Sequence, residues 1–256
     1  MHSPLNVDIS GTGPDLALLH GWGMHGGVWD SVRDDLTQHF RVHVVDLPGY
    51  GASAACAPYN LETVARQVLA ALPQRVHVAG WSLGGQVALQ MTLLAPAAIE
   101  KLVLISTTPC FRARPDWPHG MSNAALAEFS QGIEQDYEGT LKRFLSLQAR
   151  NGDEARAVIG RLRETLFARG RPTHETLRAG LQILSGLDLR NELSAITHPV
   201  LIIHGSHDTL ARSAVGAWLA QALPNAALEL IPGAAHAPFL SHPQQTLNSI
   251  KRFLNG

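Results

Sequence analysis

Val76-His77-Val78-Ala79-Gly80-Trp81-Ser82-Leu83-Gly84-Gly85-Gln86-Val87-Ala88-Leu89 decides the fold of this 256-residue chain. The run Val76 to Ala79 reads as a buried strand, and the apolar stretch from Gln86 to Leu94 reads as a helix. Between them, Gly80-Trp81-Ser82-Leu83-Gly84 fits G-x-S-x-G, with Gly85 following. The glycines permit a turn in which side chains would collide. A serine there projects from the C-terminal edge of a sheet, at the start of a helix. The Leu83 backbone N–H then faces the place where a tetrahedral oxyanion would form. A plainer reading is a glycine-rich helix start capped by a serine. The strand before and the helix after favour a nucleophile.

Outward from that turn, short apolar runs alternate with longer amphipathic stretches. Further strands are expected at Leu16–Leu19, Val42–Val45, Leu102–Ile105, Val200–Ile203 and Leu228–Ile231. Helices are expected at about 61–72, 84–95, 212–222 and 243–254. This rhythm implies an α/β fold, with a mostly parallel central sheet flanked by helices. From 112 to 186 no strand is legible. Leu141, Phe144 and Leu145, and later Leu177, Leu181 and Leu184, fall at helical spacing. Pro109, Pro115 and Pro118 open the segment as a linker would. The expected organisation is a core in two parts, 1–111 and 187–256, with a helical cap at 112–186 between them.

Composition narrows the function classes. Hydrophobic residues make up 45% and charged residues 16%, and 20 Lys+Arg against 21 Asp+Glu leave a net charge of −1. That balance suits neither a general nucleic-acid binder nor a disordered chain. No apolar run reaches the length of a membrane span. Met1-His2-Ser3-Pro4 has no secretory character. Cys56 and Cys110 form no spacing motif, so neither a disulfide framework nor a cysteine metal site is expected. The expectation is a reduced, cytoplasmic monomer without metal, dinucleotide cofactor or membrane partner.

A serine hydroxyl is a weak nucleophile and needs a base held by an acid. Thirteen histidines compete for the role. His236 lies in Gly233-Ala234-Ala235-His236-Ala237-Pro238, just after the last expected strand, among small neighbours. Asp208 follows the Val200 strand and its turn His204-Gly205-Ser206-His207. The chain order Ser82, Asp208, His236 suits a triad assembled from strand ends. His20, His43, His77 and His204 fall in or beside strands and read as packed. His25, His119 and His174 read as surface residues, and His207 as pointing away. Asp188 is the rival acid, but it lies well upstream of the Val200 strand.

The second oxyanion donor is expected from His20-Gly21-Trp22-Gly23, the loop after an early strand, through the Trp22 N–H. The Trp22 indole could wall the pocket. Asp46-Leu47-Pro48-Gly49-Tyr50-Gly51-Ala52-Ser53 reads as a structural turn. One stretch of the insertion stands out by charge. Lys142, Arg143, Arg150, Arg156, Arg161, Arg163, Arg169 and Arg171 face only Asp153, Glu154 and Glu164, a local +5. Such a run is either a solvated helix face or a docking face for an acidic partner.

Taken together, H-G-W-G, D-L-P-G-Y-G-x-S, G-W-S-L-G-G, H-G-x-x-D and A-x-H-A-P-F resemble the α/β-hydrolase superfamily over nearly the whole chain. The resemblance implies a helical cap inserted after the sixth strand. Serine at position 82 argues against the epoxide hydrolase and haloalkane dehalogenase branches, which carry aspartate there. Within the superfamily, S-x-x-P-C-F at Ser106–Phe111, R-F-L-S-L-Q at Arg143–Gln148 and A-A-H-A-P-F-x-S-H-P at Ala234–Pro243 are similar to the pimeloyl-[acyl-carrier protein] methyl ester esterases of biotin synthesis. That resemblance implies a catalytic set of Ser82, Asp208 and His236. It also implies substrate contacts at Trp22, Leu83, Phe144, Leu145, Ser146, Leu147 and Gln148. The partner it implies is acyl carrier protein bearing a pimeloyl methyl ester, docked on Arg143, Arg156, Arg161 and Arg163. The chain departs from the family at Glu138-Gly139, where an arginine precedes R-F-L. A general short-chain carboxylesterase, a thioesterase, a carbon–carbon bond hydrolase, an acyl transferase to another alcohol and a catalytically silent binding protein remain the alternatives.

Overall fold

A computed structural model describes residues 5–147 and 153–256. Its strands are β1 (Val7–Ser10), β2 (Asp15–Leu19), β3 (Arg41–Val45), β4 (Val76–Trp81), β5 (Ile99–Ile105), β6 (Val200–Gly205) and β7 (Ala226–Ile231). They form one sheet in the order β1-β3-β2-β4-β5-β6-β7. All neighbours run parallel except β1, which pairs antiparallel with β3, Val7 opposite Val45. β4 and β6 are buried at every position. Strands covered on both faces need continuous apolar character rather than alternation. That is why Val76–Ala79 and Val200–Ile203 stand out in the sequence.

The flanking helices are α1 (Asp30–Leu36), α2 (Leu61–Ala71), α3 (Leu83–Leu94), α7 (Ser213–Ala222), α8 (Pro238–Ser241) and α9 (Pro243–Asn255). The cap adds α4 (Asn123–Leu147), α5 (Asp153–Thr165) and α6 (His174–Gly186). α2 starts where the Asn60 side chain accepts a hydrogen bond from the Thr63 amide, an N-cap in the usual sense. α3 has no polar face to speak of, because it is wedged against the sheet beside α2.

β1 and α1 are additions that the sequence does not announce; Val7-Asp8-Ile9-Ser10 is a four-residue edge strand with one exposed position. One expectation needs correction. The cap follows the fifth strand, not the sixth, because only five strands precede it among the described residues.

The chain leaves β2 for β3 on one side and returns to β4 on the other. That reversal sets the C-terminal ends of β2 and β4 side by side at the switch point, the edge where open α/β sheets bind their ligands. The cap helices lie over this edge. The Trp22 indole N–H donates to the Leu177 carbonyl of α6 at 2.9 Å. His25 Nε2 donates to the Thr165 carbonyl at the end of α5, at 2.6 Å. α5 also packs on α8. The strap leading into the cap is pinned by Trp117, whose indole donates to the Cys110 carbonyl at 2.8 Å. α4 breaks at Asp136, which leaves helical geometry and accepts from the Gly139 amide at 2.9 Å, capping the second half.

Candidate active site

Ser82 joins β4 to α3 with φ 54° and ψ −116°, a left-handed conformation that costs a side-chain-bearing residue strain. The surroundings impose it. The Ser82 amide donates to the Ile105 carbonyl at 2.9 Å, continuing the β4–β5 ladder. Immediately afterwards the chain must enter α3. Glycine is required at two points of this turn. A Cβ on Gly80 would strike the Gly84 carbonyl, and one on Gly84 would strike the carbonyls of Leu19 and His20. Ser82 is partly exposed while Trp81 and Leu83 on either side are buried. Its side chain makes no capping bond to α3, so the plain capping reading is set aside.

Asp208 and His236 meet at the same edge. His236 Nδ1 lies 2.8 Å from Asp208 Oδ2. Asp208 Oδ1 accepts from the Leu210 amide at 2.9 Å and the Ala211 amide at 3.0 Å. Both residues are buried. A buried carboxyl group with two backbone N–H donors and an imidazole as partners is satisfied as burial demands. Ser82 and His236 are linked through the neighbouring residue: the Trp81 indole donates to the His236 carbonyl at 2.8 Å. Trp81 also stacks edge-on against Phe239, which in turn meets Trp29. The His236 imidazole is bonded to Asp208 and not to Ser82. Catalytic bonds of this kind often close only as substrate binds.

The loop after β2 passes Ser82. A Cβ on Gly21 would stand 3.3 Å from the Ser82 Cβ. Leu83 opens α3, so its N–H is among those a helix leaves without an internal partner. Trp22 is buried, its indole tied to α6. His20 holds the loop in place. Its Nδ1 donates to the Gly21 carbonyl at 2.8 Å, and its Nε2 accepts from the Leu47 amide at 2.9 Å. That pattern requires a neutral ring, and burial pushes its pKa down to about 4. Asp46 supports the next turn, accepting from the Gly26 amide at 2.7 Å and the Ala52 amide at 3.0 Å. Burial pushes its carboxyl up, but these donors outweigh it and hold the pKa below the usual range.

The rival residues have other partners. Asp188 is engaged by Arg190 at 2.8 Å and Arg114 at 3.3 Å, and Arg190 holds its pKa low. His20, His43, His77 and His204 are buried, as expected of strand histidines. His25 is buried too and is not a surface residue, because its loop folds beneath the cap to reach Thr165.

The basic run divides. Lys142 and Arg171 share Glu138, and Arg169 turns inward to Asp8, Asp30 and Asp46. Arg143, Arg161 and Arg163 are exposed and pair with no carboxylate among the described residues; Arg143 bonds the Thr140 hydroxyl at 2.7 Å. Arg156 lies on α5, and Phe144, Leu145, Ser146 and Leu147 form the last turn of α4. Gln148 and Arg150 lie outside the described residues. Two partners were missed in the sequence, Trp81 as the tether of His236 and Arg169 as the tether of the cap. Neither contact has a spacing signal, since its members are far apart in the chain. Among the described residues, no group of three or more His, Cys, Asp and Glu is placed to hold a metal ion, and no helix is long and apolar enough to cross a membrane.

The sheet order, the strained serine turn and the buried His–Asp pair are those of one class, and a model of the alpha/beta hydrolase family matches residues 16–249. The chain belongs to that family, and its likenesses make it a carboxylic ester hydrolase. Its relatives include proteins named pimeloyl-[acyl-carrier protein] methyl ester esterase. The one from Nitrosomonas europaea is 46% identical, over 94% of this chain and 96% of that one. The one from Nitrosospira multiformis is 44% identical, over 97% of each. Among solved structures, a hydrolase from Pseudomonas aeruginosa PA01 superposes with a TM-score of 0.86 at 31% identity, covering 98% of this chain and 94% of that one.

Proposed function

We propose that this chain hydrolyses the methyl ester of a pimeloyl chain carried on acyl carrier protein, releasing methanol and the free carboxylate in biotin synthesis. The observation that carries the substrate assignment is the full-length identity of 46% to a relative of that name. The partner assignment draws support from Arg143, Arg161 and Arg163, cap guanidinium groups that pair with no carboxylate among the described residues. An acidic carrier would supply carboxylate and phosphate partners, which the planar guanidinium fork suits. Residues 112–186 act in this reading as a cap over the acyl chain, with Phe144 to Gln148 lining the channel.

The reaction runs as acyl transfer in two stages. Ser82 Oγ attacks the ester carbonyl while its proton passes to His236. Asp208 fixes the imidazole tautomer and stabilises the imidazolium. The N–H groups of Leu83 and Trp22 receive the oxyanion, and removal of one such donor costs about 10²–10³ in rate. Collapse expels methanol, which takes the proton from His236, and leaves an acyl-Ser82 ester. Water then attacks that ester with His236 as base. The carboxylate departs and Ser82 regains its proton.

The test compares a carrier-bound pimeloyl methyl ester with a free short-chain methyl ester. The native chain is expected to prefer the carrier-bound ester, and Ser82→Ala to lose both activities. Arg161→Glu with Arg163→Glu should raise KM for the carrier-bound ester by about tenfold, or about 1.4 kcal/mol of docking energy, and leave the free ester unchanged. Turnover of the free ester alone would overturn the carrier assignment and return the cap arginines to a solvated face.

A further inference from the structure

A second histidine reaches Asp208 from behind. His204 closes β6 one residue before Gly205, and its side chain is fully buried. Its Nε2 lies 2.6 Å from the Ala211 carbonyl oxygen, so that nitrogen carries the proton and donates it. The same Nε2 lies 3.6 Å from Asp208 Oδ2, the oxygen that faces His236. The other ring nitrogen, Nδ1, has no hydrogen-bond partner. It faces α7 at Gly216, where a Cβ would stand 3.0 Å from Nδ1.

This arrangement is costly as packing. An unpaired buried ring nitrogen is unfavourable, and a side chain at Gly216 in the interior of α7 would crowd the ring. The neighbouring strand positions Ile202 and Ile203 are filled by aliphatic side chains. What an aliphatic residue lacks is the Nε2–H. We propose that His204 is a positioning residue for the hydrolytic site. By holding the Ala211 carbonyl it fixes the 208–211 turn, whose Leu210 and Ala211 amides grip Asp208 Oδ1 and thereby aim Oδ2 at His236. The ring serves in its neutral form, and burial keeps its pKa below the ordinary imidazole value. The inference rests on the reading of Ser82, Asp208 and His236 as the reacting set, and not on the identity of the substrate.

Two polar variants of different reach separate this role from packing. The Gln amide nitrogen reaches the place of Nε2, and the Asn amide nitrogen falls short of it. The assay is the second-order rate of Ser82 modification by a fluorophosphonate, which needs His236 as base but no carrier protein. Melting temperature and the far-downfield proton resonance of the His236–Asp208 bond are read in parallel. His204→Asn should slow modification about 10–100-fold, as expected when a base is displaced by up to about 1 Å, and His204→Gln should stay within about threefold of the native rate. The downfield proton should persist in His204→Gln and be lost in His204→Asn, with similar melting temperatures for the two. Equal rates for the two variants, native or reduced, would overturn the role of the Nε2–H while leaving the triad intact. Absence of modification at Ser82 in the native chain would overturn the triad, and the role of His204 with it.

Discussion

Replacing Asp208 by Asn changes one atom, and the structure dictates where it goes. The Leu210 and Ala211 amides point at Oδ1 from 2.9 and 3.0 Å. An NH₂ group at that position would face two N–H donors, so the carboxamide oxygen must take it. The NH₂ then replaces Oδ2, 2.8 Å from His236 Nδ1. Two donors cannot share that contact. His236 is driven to the tautomer with its proton on Nε2, the nitrogen that accepts the Ser82 proton in the proposed mechanism. Escape by flipping the amide would forfeit two buried backbone bonds, at about 1–3 kcal/mol for each donor left unpaired. Asp208→Asn also removes the negative charge that stabilises the imidazolium. The expected fall in kcat is about 10⁴, or about 5.5 kcal/mol at 1.36 kcal/mol per decade, with KM nearly unchanged. Steady-state hydrolysis of a methyl ester measures it, with circular dichroism confirming the fold. A kcat within about tenfold of native would refute Asp208 as the orienting acid.

Other substitutions and conditions probe the scaffold. Gly84→Ala places a methyl group against the Leu19 and His20 carbonyls of the β2 end, which are backbone and cannot yield. It should cost about 4 kcal/mol or more and lower the melting temperature by roughly 10 °C, as read in a thermal melt. Arg169→Ala removes the guanidinium that reaches Asp8, Asp30 and Asp46. Deuterium uptake should rise in α5 and α6 while β4 and β5 stay protected; unchanged uptake would show that the cap is held by its apolar contacts alone. Stability should fall as pH drops from about 6.5 toward 4. In that window the unfolded chain protonates His20, whereas burial keeps the folded ring neutral down to about 4. Below it both states are protonated and this contribution is exhausted. Its size is about 3 kcal/mol, and His25, His77 and His204, also lowered by burial, act in the same direction. Urea unfolding at a series of pH values would show a flat curve if these rings were free to protonate.

What was legible in the sequence follows a physical line. Strands buried on both faces announce themselves as apolar runs, so β2 to β6 could be placed from Leu16, Val42, Val76, Leu102 and Val200. The glycine turn around Ser82 was legible because no side chain fits at Gly80 or Gly84. Asp208 and His236 were singled out because each follows a strand end, and the structure brings the two within 2.8 Å of each other. β1 was illegible because an edge strand of four residues has too little pattern. His25 was misread because burial under a cap is a long-range event. Its neighbours Met24 and Gly26 give no hint that Thr165 will cover it. The division of the basic run was equally hidden: Arg169 and Arg171 are two residues apart, yet one faces three carboxylates of the core and the other Glu138 of α4.

The two indole bonds of the site, from Trp22 to Leu177 and from Trp81 to His236, each join residues 155 positions apart. A ribosome delivers the chain from one end, so the Ser82 segment is synthesised long before either closure can form. In the proposed mechanism a nascent chain that stops short of His236 holds the serine without its base. Such long-separated contacts also slow folding, because loop closure must precede their formation. In the reading of Ser82 and His236 as nucleophile and base, the serine turn is therefore armed only by a segment synthesised 155 positions beyond Trp81.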